Sequence, residues 1–192
     1  MKITNELLLE HIARYHFATD FVNGRVLDFA SGSGYGSHII AKKCKKAVSE
    51  IIGMDNSAEA VDYASSTYYH PLTTFLQEDV TATDLAERFG QFDTIISFET
   101  IEHISDEKQF LSNIYRLLKP NGTLIMSTPF GKGRAVPSGY PFHVHQLTRN
   151  EFKELFVDYQ TANMYFQKGV LIKPADFNDE TYYPLGIAVC QK

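Results

Sequence analysis

Only two cysteines, Cys44 and Cys190, occur among the 192 residues, and no Cys-x-x-Cys pair is present. Two isolated thiols exclude a disulfide framework and fit a reducing compartment. Long hydrophobic runs are missing too. The start, Met-Lys-Ile-Thr-Asn-Glu-Leu-Leu-Leu-Glu-His, has an apolar run of three, where a signal peptide needs about seven to fifteen. No stretch approaches the ~20 apolar residues of a membrane span, so the expected location is the cytoplasm. Positive charge is not in excess either. A net charge of −5 leaves no electrostatic footprint for a long polyanion, which disfavours nucleic acid as a partner. The one basic cluster, Lys42, Lys43, Lys45 and Lys46, reads as the solvated end of a helix whose dipole it complements. Internal repeats and low-complexity segments are absent.

What is present is an ordinary globular composition, 44% hydrophobic and 21% charged. It supports a single domain over 1–192 with a sizeable core and no room for a separate catalytic domain. Strand and helix patterns alternate, which argues for a parallel sheet with helices on both faces. An amphipathic helix is expected over 5–20, within an N-terminal segment 1–22. Strands follow at 25–29, 50–54, 73–76, 92–98 and 123–127. Between them, Tyr35–Lys46 reads as a helix, and Asn56 with Glu59 as a capping box opening a helix over 57–69. Asp106 starts a helix with Phe110, Leu111, Ile114, Leu117 and Leu118 on one face, ended by Pro120-Asn121-Gly122. Thr148 and Glu151 cap another, through Phe156. Segments 158–167 and 183–191 read as a terminal antiparallel hairpin at one sheet edge. Two long connections, 129–141 and 168–182, read either as irregular surface or as a cover over a site.

The most informative segment is Val26-Leu27-Asp28-Phe29-Ala30-Ser31-Gly32-Ser33-Gly34-Tyr35-Gly36. A short apolar run empties into glycines spaced by two, which let backbone approach a ligand closely. The helix that follows begins with unpaired amides facing the same place. Asp28 suits a ligand with a positive centre or hydroxyls better than a bare pyrophosphate. A dinucleotide fold competes, since Gly32-x-Gly34 with Asp55 superficially satisfies the nicotinamide fingerprint, with Ser37 where the third glycine belongs.

This loop resembles motif I of the class I S-adenosylmethionine-dependent methyltransferases, Asp/Glu-x-Gly-x-Gly-x-Gly. Asp28, Gly32 and Gly34 fit it, and Ala30 stands where the first glycine is usual. The resemblance implies a Rossmann-like doubly wound α/β sheet of seven strands in the order 3-2-1-4-5-7-6, and S-adenosylmethionine as cofactor. It implies that Asp55, followed by Asn56, accepts from the ribose hydroxyls, that Asp79 and Val80 contact adenine, and that Phe98 packs the methionine part. Tyr15, next to Arg14 in the first helix, is expected to close over that end.

After the fourth strand comes Glu99-Thr-Ile-Glu102-His103. If a helical turn begins near Glu99, positions i, i+3 and i+4 project from one face. His143 and His145 precede the later helix. The set resembles ubiquinone-pathway and small-RNA O-methyltransferases, in which Glu-x-x-Glu-His and a later His bind a divalent ion. That implies Mg²⁺ or Mn²⁺ on Glu99, Glu102, His103 and His143, with His145 in reserve; without an ion, His103 and His143 are general-base candidates. The expected reaction is methylation, at oxygen, of a small polar acceptor. The alternatives are a nicotinamide-dependent oxidoreductase and a non-catalytic methyltransferase-like binding protein.

Overall fold

A computed structural model describes residues 6–192; the start of the expected 5–20 helix, and residues 1–5 of the 1–22 segment, lie outside the described residues. The first half runs α1 (Glu6–Ala18), β1 (Gly24–Phe29), α2 (Tyr35–Lys43), β2 (Val48–Asp55), α3 (Ala58–Thr67) and β3 (Thr73–Gln77). The second half runs α4 (Leu85–Phe89), β4 (Phe92–Phe98), a 3₁₀ turn (Ile101–His103), α5 (Glu107–Leu117) and β5 (Leu118–Pro129). It ends with α6 (Arg149–Glu154), β6 (Thr161–Lys168), β7 (Leu171–Pro174) and β8 (Leu185–Gln191).

The strands form one sheet in the order β3-β2-β1-β4-β5-β8-β6-β7. Strands β1 to β5 pair in parallel, whereas β8 lies antiparallel between β5 and β6, and β7 pairs antiparallel with β6. The expected order therefore stands, with one correction: the sheet has an eighth strand at its edge. Leu171–Pro174 falls inside a segment that reads as loop, because four residues ending in proline are too few to carry a period-2 pattern.

Both faces of the sheet are buried, which explains the near-continuous apolar strands. Val26, Ile51, Ile96 and Ile125 pack under Tyr15, Ala18, Ile40 and Ala41 of α1 and α2. Leu27, Ile52, Ile95 and Leu124 pack on the other side under Phe110, Ile114 and Leu117 of α5 and Phe152 of α6.

Local chemistry corrects several boundaries. The cap of α3 is Ser57, whose Oγ accepts from Ala60 N at 3.2 Å, so Asn56 is free of that role. Helix α2 stops at Lys43, and Lys45 and Lys46 lie beyond it. Leu118 already belongs to β5, and 120–122 form an irregularity inside that strand, with Asn121 at φ 63°. The capping box of Thr148 and Glu151 is present, over a helix ending at Glu154. Helix α4, at five residues, is too short to leave a periodic signal.

Candidate functional site

The segment after β1 is held in left-handed conformations at Ala30 (φ 68°), Gly32 (φ 53°) and Gly34 (φ 82°). At Gly32 the space a Cβ would enter is open, and its amide donates to Asp55 Oδ2 at 2.8 Å. At Gly34 a Cβ would overlap Ala64 and Phe75, and at Gly36 the ring of Tyr15. Alanine holds the left-handed region at a cost of about 1–2 kcal/mol, against which glycine returns about 0.4–1 kcal/mol of unfolded-chain freedom. Ala30→Gly should therefore raise the urea midpoint, by up to about 1 kcal/mol of stability. A lower midpoint would mean that the Ala30 methyl, packed against the core, contributes more than the strain removes.

A cavity of about 390 Å³ opens at the carboxyl ends of β1, β2 and β4. Ala30, Gly32, Asp55, Asn56, Asp79, Val80 and Phe98 line it. Asp55 Oδ1 accepts from Ser57 N at 3.0 Å, and Asp79 Oδ1 accepts from the Thr81 amide and hydroxyl at 2.8 and 2.7 Å. Those bonds pin both carboxylates at the cavity wall.

Asp28, Gly34 and Tyr15 are not on that wall. Asp28 is 1% exposed and accepts from Tyr15 Oη at 3.0 and 3.2 Å and from Ser37 Oγ at 2.6 Å. Burial pushes its carboxyl up to about 6 despite those bonds. It ties α1 and α2 to β1 instead of facing a ligand. Tyr15 covers it, edge-on to Phe98 with ring centroids 5.0 Å apart.

Two residues that sequence reading missed do line the cavity, His11 and Tyr35. His11 Nδ1 hydrogen-bonds the Tyr35 hydroxyl. Burial, then the nearby Arg14 charge, lowers the imidazole to about 4, so it is neutral at pH 7. The signal was there: His11, Arg14, Tyr15 and Ala18 follow the i, i+3, i+4, i+7 spacing of one helical face.

Glu102, His103 and His143 offer one ligand atom each within 4.8 Å of one another, and His103 also lines this cavity. Glu102 is 1% exposed; its Oε2 accepts from Thr128 Oγ1 at 3.1 Å, while its Oε1 is buried without a partner. Burial raises this carboxyl to about 7. His103 Nδ1 lies 2.8 Å from the Phe142 carbonyl. A carbonyl only accepts, so Nδ1 carries the proton and Nε2, 3.9 Å from Glu102, keeps a lone pair. His143 Nδ1 is buried and unpartnered, and burial followed by the neighbouring His103 lowers its basicity. Val144 N donates to the Glu102 carbonyl at 2.8 Å, fastening the histidine loop to the 3₁₀ turn.

Glu99 and His145 stay outside this group. The expected helical turn does not begin at Glu99, which has φ 50° and lies before the 3₁₀ turn; its carboxylate pairs with Arg14. His145 faces Glu107 at 3.2 Å. The remaining donors, an orphaned carboxylate oxygen and two imidazoles, fit a divalent cation. Two imidazole nitrogens beside one carboxylate oxygen are less typical of Mg²⁺, which takes oxygen ligands, than of a transition ion that accepts imidazole.

A second cavity, of about 1150 Å³, is walled by both long connections. Tyr140 and Pro137 come from one, Phe177 and Tyr182 from the other, and His143 and Glu99 also line it. Glu99 borders both cavities.

Comparison with known proteins gives the family. A family model described as a methyltransferase domain matches residues 20–181. A probable S-adenosylmethionine-dependent methyltransferase of Mycolicibacterium smegmatis is 33% identical over 137 residues, 68% of this chain and 49% of that protein. A ubiquinone biosynthesis O-methyltransferase of Cereibacter sphaeroides is 25% identical over 126 residues, 66% of this chain and 49% of that protein. The chain spans about half the length of these curated relatives. The crystal structure of the small RNA methyltransferase HEN1 superposes with a TM-score of 0.74 at 18% identity, covering 95% of this chain and 26% of that one. No helix among the described residues is long and apolar enough to cross a membrane. With the glycine loop, the acidic strand ends and the sheet order in place, the chain belongs to the class I S-adenosylmethionine-dependent methyltransferases.

Proposed function

We propose that this chain binds S-adenosylmethionine in the smaller cavity and methylates an oxygen of a small acceptor held in the larger one, with a divalent ion on Glu102, His103 and His143. The observation that carries this reading is the position of the orphaned Glu102 carboxylate and its two imidazoles beside both cavities. Similarity to ubiquinone biosynthesis O-methyltransferases supports oxygen as the methylated atom.

S-adenosylmethionine, when bound, supplies a methyl group already activated on a sulfonium, and the ion, when bound, supplies Lewis acidity. The chain's own work is then alignment and dehydration. Asp55 takes the ribose hydroxyls, Asp79 and the Val80 amide take adenine, and His11, Tyr35 and Phe98 exclude water from the methionine end. Glu102, His103 and His143 fix the acceptor side; where no ion is held, the His103 Nε2 lone pair is the proton acceptor there.

Calorimetry with S-adenosylhomocysteine and with a nicotinamide dinucleotide tests the cofactor. Binding of the first and none of the second is expected; the reverse result would replace this reading with an oxidoreductase. Homocysteine-derivative binding with no methyl transfer to hydroxylated acceptors would make the chain a binding protein.

A further inference from the structure

We propose that Glu99 is an anchor that seats α1 over the cofactor cavity, acting through Arg14 and Gln167, and is not a member of the cation-binding set. The inference deepens the functional reading above and rests on it.

Arg14 sits in the middle of α1 and is 1% exposed. One end of its guanidinium pairs with Glu99, and Nη1 donates to Gln167 Oε1 at 2.9 Å. Gln167, itself 1% exposed, returns two bonds from Nε2, to the Glu10 carbonyl at 3.0 Å and the Gly169 carbonyl at 2.8 Å. The helix is thereby held from two sides, by the chain leaving β4 and by β6. On the same face, His11 lines the cavity and Tyr15 reaches Asp28. Whatever lifts α1 removes part of the cavity's wall.

The same joint explains why the cation cluster closes without Glu99. Were Glu99 to turn toward Glu102, a buried guanidinium would lose the one carboxylate that pairs with it directly, at a point where its Nε already lacks a partner. Arg14 is buried although Glu99 is half-exposed, so withdrawing the carboxylate is unfavourable chiefly for the guanidinium left behind. The left-handed φ of 50° at Glu99 is sparsely populated for a side-chain-bearing residue and persists where the surroundings over-determine it. Here β4 and Arg14 do so.

The test uses the full chain with Glu99→Ala, Glu99→Gln, Gln167→Ala and the Glu99→Ala/Gln167→Ala double variant. It reads S-adenosylhomocysteine affinity by calorimetry, Mn²⁺ affinity by electron paramagnetic resonance titration, and amide exchange across residues 6–18. Glu99→Ala and Gln167→Ala should each weaken S-adenosylhomocysteine binding about tenfold. Because both act through one arginine, the double variant should lose little more than the larger single. Exchange across α1 should quicken, Glu99→Gln should recover most of the affinity by still accepting from Arg14, and Mn²⁺ binding should stay within about threefold of wild type in every variant. A Mn²⁺ loss in Glu99→Gln as large as in Glu102→Gln would overturn the proposal by making Glu99 a ligand. Unchanged α1 exchange and unchanged S-adenosylhomocysteine affinity would overturn it by removing the seat. A wild-type chain that binds neither probe would sink the functional reading instead, and α1 exchange in the variants would still decide the anchor.

Discussion

Replacing Glu102 by alanine should abolish methyl transfer while leaving S-adenosylhomocysteine affinity nearly unchanged. Glu102 does not line the cofactor cavity, so its loss is expected to act on the acceptor side alone. Burial opposes its charge, and its only side-chain partner by hydrogen bond is Thr128, so alanine there removes a costly buried carboxyl along with that bond. Mn²⁺ affinity should fall by more than roughly 100-fold, since even the outer partners of metal ligands are worth about 10- to 100-fold. Chelation of the wild type should reproduce the loss of activity, and added Mn²⁺ should restore the chelated enzyme but not the variant. If exhaustive chelation leaves activity on the true acceptor intact, the ion is incidental. The pH dependence of the rate would then be read for His103 or His143 as a metal-free base.

Asp55→Ala carries the second large effect, on cofactor binding. Its Oδ2 accepts from Gly32 N at 2.8 Å and its Oδ1 from Ser57 N at 3.0 Å, so this one carboxylate braces the glycine loop and the start of α3 from the cavity wall. If Asp55 takes the ribose hydroxyls as proposed, losing those charge-assisted bonds should cost about 1.5–3 kcal/mol, roughly 10- to 150-fold in affinity. Asp55→Asn, which keeps one acceptor oxygen, should fall between wild type and Asp55→Ala. Equal S-adenosylhomocysteine titrations for Asp55→Ala and wild type would remove Asp55 from the cofactor site.

Some of this site was legible because its chemistry is local. Gly32, Asp55, Asn56, Asp79 and Val80 lie at strand ends or just beyond them, where sequence position alone puts them at the mouth of a parallel sheet. Asp28 is a different case, because its surroundings come from other elements. A carboxylate at a strand end looks ligand-facing until α1 and α2 are packed on it, and only tertiary contact shows Tyr15 and Ser37 taking its oxygens. The spacing of Glu99, Glu102 and His103 promised one helical face. The chain instead leaves β4 through a left-handed residue into a three-residue 3₁₀ turn, and a partner 85 residues away, Arg14, claims Glu99. Neither a backbone reversal nor a distant arginine can be read from a spacing. Strand β7 was lost because its pairing with β6, not its own four residues, makes it a strand.

The sheet order has a consequence for assembly of the molecule. Strands β6 and β7 join the rest of the sheet only through β8, which slots between β5 and β6 along seven paired positions on each side. β8 is the last of the eight strands in chain order. Contacts between segments so distant in sequence form late, because the loop must be closed before they reward it. Gln167 stands on β6, so the hold that β6 exerts on α1 is complete only when β8 has joined β6 to β5, whereas Glu99 and Asp28 hold the helix from the parallel half of the sheet. Without β8, α1 would be held from the parallel half of the sheet alone, so closure of the cofactor cavity depends on a seam between two halves of the sheet that lies outside the cavity itself.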